Sequence, residues 1–380
     1  MSTTFPSEPA TTTARLRIEG PITVAVYRFP TPGPEADGTL AWESTTAVTV
    51  TVGAGGATGF GWSYTSPAAA TVIEHHLAPL LDGRPLDIEA RRMEMVRACR
   101  NIGTGGVVAH ALSAVDIALW DLRARLLERP LPELLGATRA ATPVYGSGGF
   151  TTMDDNRLAR QIGGWQAAGC TAVKIKIGED RGRRTDRDLE RITLAAGLIG
   201  DRDTLMVDAN GAYSVAAAQW MGSRLDRLGV GWFEEPVTSD DPAGLRRVRA
   251  EVRCDVTAGE YIYDRYDAAA LIDVVDCLQL DVTRCGGYSG FRECAALAAA
   301  HGVDVSAHCA PSLHAPVAAA TGNLRHIEWF ADHARLEPLL AEGTPQVAGG
   351  LLPPRAADAI GNGHGMRPAP NAEHYRLTPR

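Results

Sequence analysis

Three short apolar runs, each ending in a carboxylate, constrain this chain more than anything else in it. They are Leu205-Met206-Val207-Asp208, Gly231-Trp232-Phe233-Glu234 and Val256-Thr257-Ala258-Gly259-Glu260. The acidic ends are evenly spaced, since 234 − 208 = 26 and 260 − 234 = 26. One strand, one helix and two short loops need roughly that many residues in a repeating β/α unit. Pro236 forbids the middle run from continuing as an interior strand. Successive parallel strands would bring the three carboxylates to one point. Three negative charges held together need a cation, and hard oxygen ligands suit Mg²⁺.

The same texture extends in both directions. Strand-like runs occur at Pro143–Ser147, Ala172–Ile177, Leu205–Asp208, Gly231–Glu234, Asp255–Glu260, Cys277–Asp281, Asp304–His308 and Arg325–Glu328. Between them lie helical segments such as Ala216–Leu228 and Gly290–Ala300. Eight strands alternating with helices predict an α/β fold, a TIM-type (β/α) barrel over residues 141–340. Residues 15–140 read differently, as strands followed by helices, which suits an α+β capping domain. In that half Ile22–Tyr27 and Thr45–Val52 suit strands, and helical spacing begins at Ala68 and again over Pro85–Arg100. Ala109–Leu127 is its best helix, with Leu112, Val115, Leu119 and Leu122 at core spacing. Pro30–Pro34 reads as a loop, and Gly53–Gly61 as a mobile one. Residues 1–14 read as a loose tail, and the irregular end from about 341 to 380 returns to the cap.

Composition removes several classes of function. A net charge of −8 argues against nucleic acid as a partner. No run is long enough to span a membrane, and the first residues do not look like a signal peptide, so the expected home is the cytoplasm. Seven cysteines without paired spacing read as buried small hydrophobes in a reducing compartment. Gly53-Ala54-Gly55-Gly56 lacks the Lys-Ser/Thr of a phosphate loop.

Barrel active sites lie at the carboxyl ends of the strands, so the other strand ends carry the chemistry. The second offers Lys174-Ile175-Lys176, whose alternation points both amines into the barrel. Mutual repulsion lowers the pKa of such a pair and suits one member to act as a base. The sixth and seventh end in Asp281 and His308, neighbours able to pair and so to orient the imidazole. The eighth ends in Glu328. Glu235 reads as structural or as a support behind the ion's ligands, because only one of two adjacent strand residues can face the ion; His314, His326 and His333 read as packing or surface groups. A lone strand-end carboxylate is more often a helix cap than a ligand. The even triplet reverses that reading.

As a set, Lys-x-Lys, Asp-x-Asn, Glu-Glu-Pro and Gly-Glu, followed by Asp281 and His308, resemble the enolase superfamily, in its mandelate racemase branch. The resemblance covers nearly the whole chain and implies a modified (β/α)7β barrel with an α+β cap. It implies Mg²⁺ held by Asp208, Glu234 and Glu260, and Lys176 as a base tuned by Lys174. It also implies His308, backed by Asp281, as acid or base on the opposite face, Glu328 on the enediolate oxygen, and Asn210 on the substrate. The substrate would be a small-molecule carboxylate, the reaction dehydration of an acid sugar or else racemisation or epimerisation, and the assembly a homo-oligomer from dimer to octamer. Relatives that place a second lysine base on the sixth strand differ here: the corresponding position is Arg284, which stays protonated. Phe29–Trp42 and Gly53–Tyr64 read as the substrate-selecting segments, with Trp62 and Tyr64 as candidate contacts. A non-catalytic binding barrel or a metal-dependent hydrolase would explain the fold, but neither explains an intact set of oxygen ligands flanked by two bases.

Overall fold

The computed structural model describes residues 16–200 and 203–377, so the expected tail over residues 1–14 lies outside the described residues. Eight parallel strands form the barrel: β4 (Thr142–Gly148), β5 (Ala172–Lys176), β6 (Thr204–Asp208), β7 (Trp232–Glu234), β8 (Asp255–Ala258), β9 (Cys277–Leu280), β10 (Asp304–Ala307) and β11 (Leu324–Phe330). They neighbour one another in chain order, and β11 closes the ring by pairing with β4. Each of the eight runs anticipated from the sequence is present. Their near-continuous apolar character follows from burial on both faces, with side chains filling the inside and helices covering the outside.

The cap is a three-stranded antiparallel sheet of β1 (Glu19–Ala36), β2 (Ala41–Ala54) and β3 (Ala57–Tyr64), backed by the helix Val107–Leu126. Two expectations fail here. Pro30–Pro34 is no loop but part of β1, which pairs with β2 across a register shift between Pro30 and Glu35. An edge strand leaves its outer N–H positions unpaired, and a bulge absorbs the prolines. Gly53–Gly61 is not a mobile loop either. Ala54 pairs with Ala57 around a two-residue turn, and Gly55 and Gly56 both have positive φ, 53° and 76°. Gly59 and Gly61 then serve a close approach: a Cβ on Gly61 would stand 2.5 Å from the Ala114 carbonyl of the backing helix.

That helix is buried nearly all round, including Asp116 and Asp121. Asp116 accepts hydrogen bonds from the backbone N–H and hydroxyl of Ser289 on the barrel. Asp121 accepts from Phe60 of β3 and from His364, and the His364 ring also reaches the Phe60 carbonyl at 2.8 Å. The chain end thus returns to the cap and seats it over the carboxyl ends of the barrel strands.

Candidate active site

Strand register assembles the site. In β5, β6 and β7, Lys176 lies beside Asp208 and Asp208 beside Glu234. Glu260 follows β8 through Gly259, whose φ is +131° and on which a Cβ would stand 2.4 Å from the Gln279 carbonyl, so no side chain fits. Asp208, Glu234 and Glu260 each place an oxygen within 4.8 Å of the others, and all three are buried. Trp232 Nε1 and Gln279 Nε2 each donate to Glu234 Oε2 at 2.8 Å. Asn210, with φ +45°, donates its backbone N–H to Asp208 and lines the cavity, while its Oδ1 is buried without a partner.

Both lysines point inward. Lys174 Nζ lies 2.6 Å from Glu234 and 2.9 Å from Glu328, and Lys176 Nζ bonds Asp208. Burial disfavours the Lys176 ammonium and Lys174 opposes it as expected, yet the carboxylates of Asp208, Glu260 and Glu234 together outweigh both and hold its pKa above the ordinary lysine value. The expected depression by Lys174 is therefore overruled by charge of opposite sign at shorter range. Burial, and then Asp208, push the Glu234 carboxyl up to about 8.

Opposite Lys176, His308 Nδ1 lies 2.9 Å from Asp281 Oδ2, and its Nε2 lies 3.3 Å from Glu260. Burial lowers the imidazole's affinity for a proton, but Cys309, Glu260, Glu328 and the bond to Asp281 together raise it above the ordinary histidine value. Glu328 sits beneath the cavity wall: Oε1 accepts from Ser147 and Oε2 from the Cys309 N–H. Arg284 bonds Glu260 and Asp281, so it braces two site carboxylates. Glu235 is buried and does not line the cavity; its φ of +36° takes it off the strand's alternation, and burial, then Glu260 and Asp208, push its carboxyl up.

A cavity of about 350 Å³ joins these groups to the cap and is lined by Lys176, Asn210, Glu260 and His308, among others. Tyr64 reaches it, its hydroxyl donating to Glu337. Trp62 does not. It shares the even-numbered face of β3 with Tyr64, but only the strand's last residue reaches the cavity, and Trp62 packs wholly buried against Phe60 and His364. Thr45, Cys309 and Asp332 line the cavity without having been picked out, Trp42 lines it as the end of the Phe29–Trp42 segment, and His333 lines it contrary to its reading as a packing or surface group. Cys309 looked like the other buried cysteines, yet its Sγ lies 3.3 Å from His308 Nε2. His333 stacks on Tyr64 with centroids 3.8 Å apart. Its place just past the eighth strand end was the one available signal. His314 and His326 are packing groups, as expected: His314 Nε2 accepts from the Val282 N–H, and His326 meets the Ser306 hydroxyl.

The donor set fits Mg²⁺. All three triad side chains offer hard carboxylate oxygens, and Glu260 Oε2 is buried with His308 Nε2, 3.3 Å away, as its one charged neighbour, which leaves it lone-pair capacity for a cation.

Comparison with known proteins shows the family. Residues 157–372 match the family described as Enolase C-terminal domain-like, and residues 22–136 match the Mandelate racemase / muconate lactonizing enzyme, N-terminal domain. The chain belongs to the enolase superfamily, in its mandelate racemase branch. It is 30% identical to the L-talarate/galactarate dehydratase of Salmonella typhimurium over 282 residues, 72% of this chain and 70% of that protein. A mandelate racemase/muconate lactonizing enzyme-like protein from Rubrobacter xylanophilus superposes with a TM-score of 0.90 at 42% identity, over 95% of this chain and all of that one. A racemase from Streptomyces coelicolor, crystallised with magnesium, superposes with a TM-score of 0.87 at 29% identity, over 95% and 100% of the two chains. This member of the superfamily is an enzyme of the lyase or racemase/epimerase type, with no helix among the described residues long and apolar enough to cross a membrane.

Proposed function

We propose that this enzyme is a Mg²⁺-dependent dehydratase of a sugar acid, with Asp208, Glu234 and Glu260 as the metal ligands. The observation that carries the reading is that Lys176 meets the buried carboxylate triad at Asp208 and His308 meets it at Glu260, both lining one cavity. When bound, Mg²⁺ would offset the triad's charge and stabilise the negative charge that develops on the substrate carboxylate. With the charge on Asp208 offset, Lys176 can give up its ammonium proton; its neutral Nζ then takes the α-proton, and the C–H electron pair moves into the carboxylate to give an enediolate. Lys174 remains an ammonium beside that charge. His308 Nε2 then protonates the β-hydroxyl, the C–O bond breaks, water leaves, and the enol rearranges to a 2-keto-3-deoxy acid. Asp281 holds Nδ1–H so that Nε2 faces the cavity.

A second reading uses the same residues. If His308 returns a proton to the α-carbon on the face opposite Lys176, the enzyme is a racemase or epimerase, a chemistry for which two-sided placement is equally suited. The test is ¹H NMR in D₂O with saturating Mg²⁺ across a panel of sugar acids. Formation of 2-keto-3-deoxy products supports dehydration; α-deuteration with inversion and no loss of water supports the second reading. Turnover unchanged after exhaustive chelation would remove both.

A further inference from the structure

The cavity's two ends differ in charge, and the difference bears on which sugar acids fit. The cationic side chains lining it, among the described residues, are Lys176, Arg284 and the protonated imidazole of His308. All three lie at the triad end and all are engaged, Lys176 by Asp208, and Arg284 and His308 by Glu260 and Asp281. The cap end has the opposite character. Asp332 and Asp37 line it, with the hydroxyls of Ser44 and Thr46. Asp332 is all but buried, accepts from the Thr45 hydroxyl, and is balanced by Arg335, which does not line the cavity. Behind the wall, the Trp42 indole donates to Glu35, whose carboxyl is pushed up to about 7 by burial and by Asp332. His333 adds no positive charge: its Nδ1 accepts the Ala310 N–H, and burial lowers its pKa to about 4.

We infer that the substrate carries a single carboxylate, so that it is an aldonic acid or an anhydro or deoxy relative and not a dicarboxylic aldaric acid. The inference rests on the proposed function above. The reacting carboxylate goes to the triad end, where the charge is complementary. A second carboxylate at the far end of the sugar would meet Asp332 and Asp37 with no free cation at hand, and like charges in a confined site reject a ligand. A terminal hydroxymethyl group there has carboxylate acceptors and hydroxyl partners, and rings of Trp42 and Phe330 for its carbon face.

The test compares matched pairs, gluconate with glucarate and galactonate with galactarate, using the intact enzyme with saturating Mg²⁺. The readouts are α-proton exchange in D₂O and keto-acid formation. We expect kcat/KM for the aldonate to exceed that for its aldarate by about tenfold or more. Asp332→Asn should raise the aldarate-to-aldonate ratio about fivefold, whereas loss of a merely structural contact would slow both alike. Ser44→Lys, which adds a cation to the same wall without touching the Asp332 contacts, should move the ratio the same way. Aldarates matching or outrunning aldonates, or a ratio unmoved by both variants, overturns this inference while leaving the site's chemistry standing. Exchange with no sugar acid of either kind overturns the proposed function, and this inference falls with it.

Discussion

The Nδ1 atom of His308 and the Oδ2 atom of Asp281 lie 2.9 Å apart across two neighbouring barrel strands. The carboxylate cannot turn away, because its other oxygen accepts both the backbone N–H and the hydroxyl of Thr283 at 2.7 Å. Burial alone would raise the Asp281 carboxyl, but the bond to His308 and the Arg284 guanidinium hold it below the usual carboxylate range. The imidazole is thereby fixed with Nε2 toward the cavity.

Asp281→Asn should therefore cut kcat by about 10–100-fold and leave Mg²⁺ affinity within about twofold. Steady-state kinetics beside a calorimetric Mg²⁺ titration check this. An equal fall in metal affinity would mean that Asp281 acts through Arg284 and Glu260 and not through the imidazole.

The barrel half of this site was legible because parallel strands convert sequence spacing into spatial proximity. Asp208, Glu234 and Glu260 end successive strands, so equal intervals along the chain became oxygens within 4.8 Å. The cap was less legible because its signals depend on partners. Pro30–Pro34 looks like a loop until it is known to lie on an edge strand, and Trp62 looks like a ligand contact until the return of His364 covers it. Asp332 and His333 begin a helix, where neither alternation nor spacing marks the residues that face a cavity. The Lys176 environment was misjudged for a related reason: Lys174 is visible two residues away, but the carboxylate that outweighs it comes from the next strand.

Gly61→Ala tests how tightly the cap sheet sits on its helix. The added methyl would stand 2.5 Å from the Ala114 carbonyl and 2.6 Å from the Ala118 nitrogen, both backbone atoms that cannot swing aside. We expect a loss of roughly 1–3 kcal/mol in unfolding free energy, read from urea denaturation. An unchanged midpoint would show that the sheet and helix can separate freely.

Metal binding has a readout independent of turnover. A ligand that binds only the folded state at 100 times its Kd stabilises by about 2.7 kcal/mol, so Mg²⁺ should raise Tm and EDTA should reverse the rise. Glu260→Gln should lose more than half of that response, since it removes one of the three negative charges that converge within 4.8 Å. A full Mg²⁺-dependent rise in the variant would place the ion elsewhere.

Glu337 ties the same region to pH. It is buried beneath Tyr64, whose hydroxyl lies 3.2 Å away, and it accepts the Ser312 N–H at 3.0 Å. Burial pushes its pKa from 4.5 to about 7, the hydrogen bonds opposing. Between those values the folded protein holds a proton that the unfolded chain has released. Stability from this group is thus fully present below about pH 4.5 and declines as pH rises towards 7, after which the penalty is constant. Glu337→Gln keeps the shape and removes the titration. Across that window the variant should gain roughly 1–3 kcal/mol relative to the parent, measured as the difference in unfolding free energy at pH 5 and pH 7.5. Parallel pH profiles for the two proteins would show that Glu337 ionises in the folded state as readily as in the unfolded one.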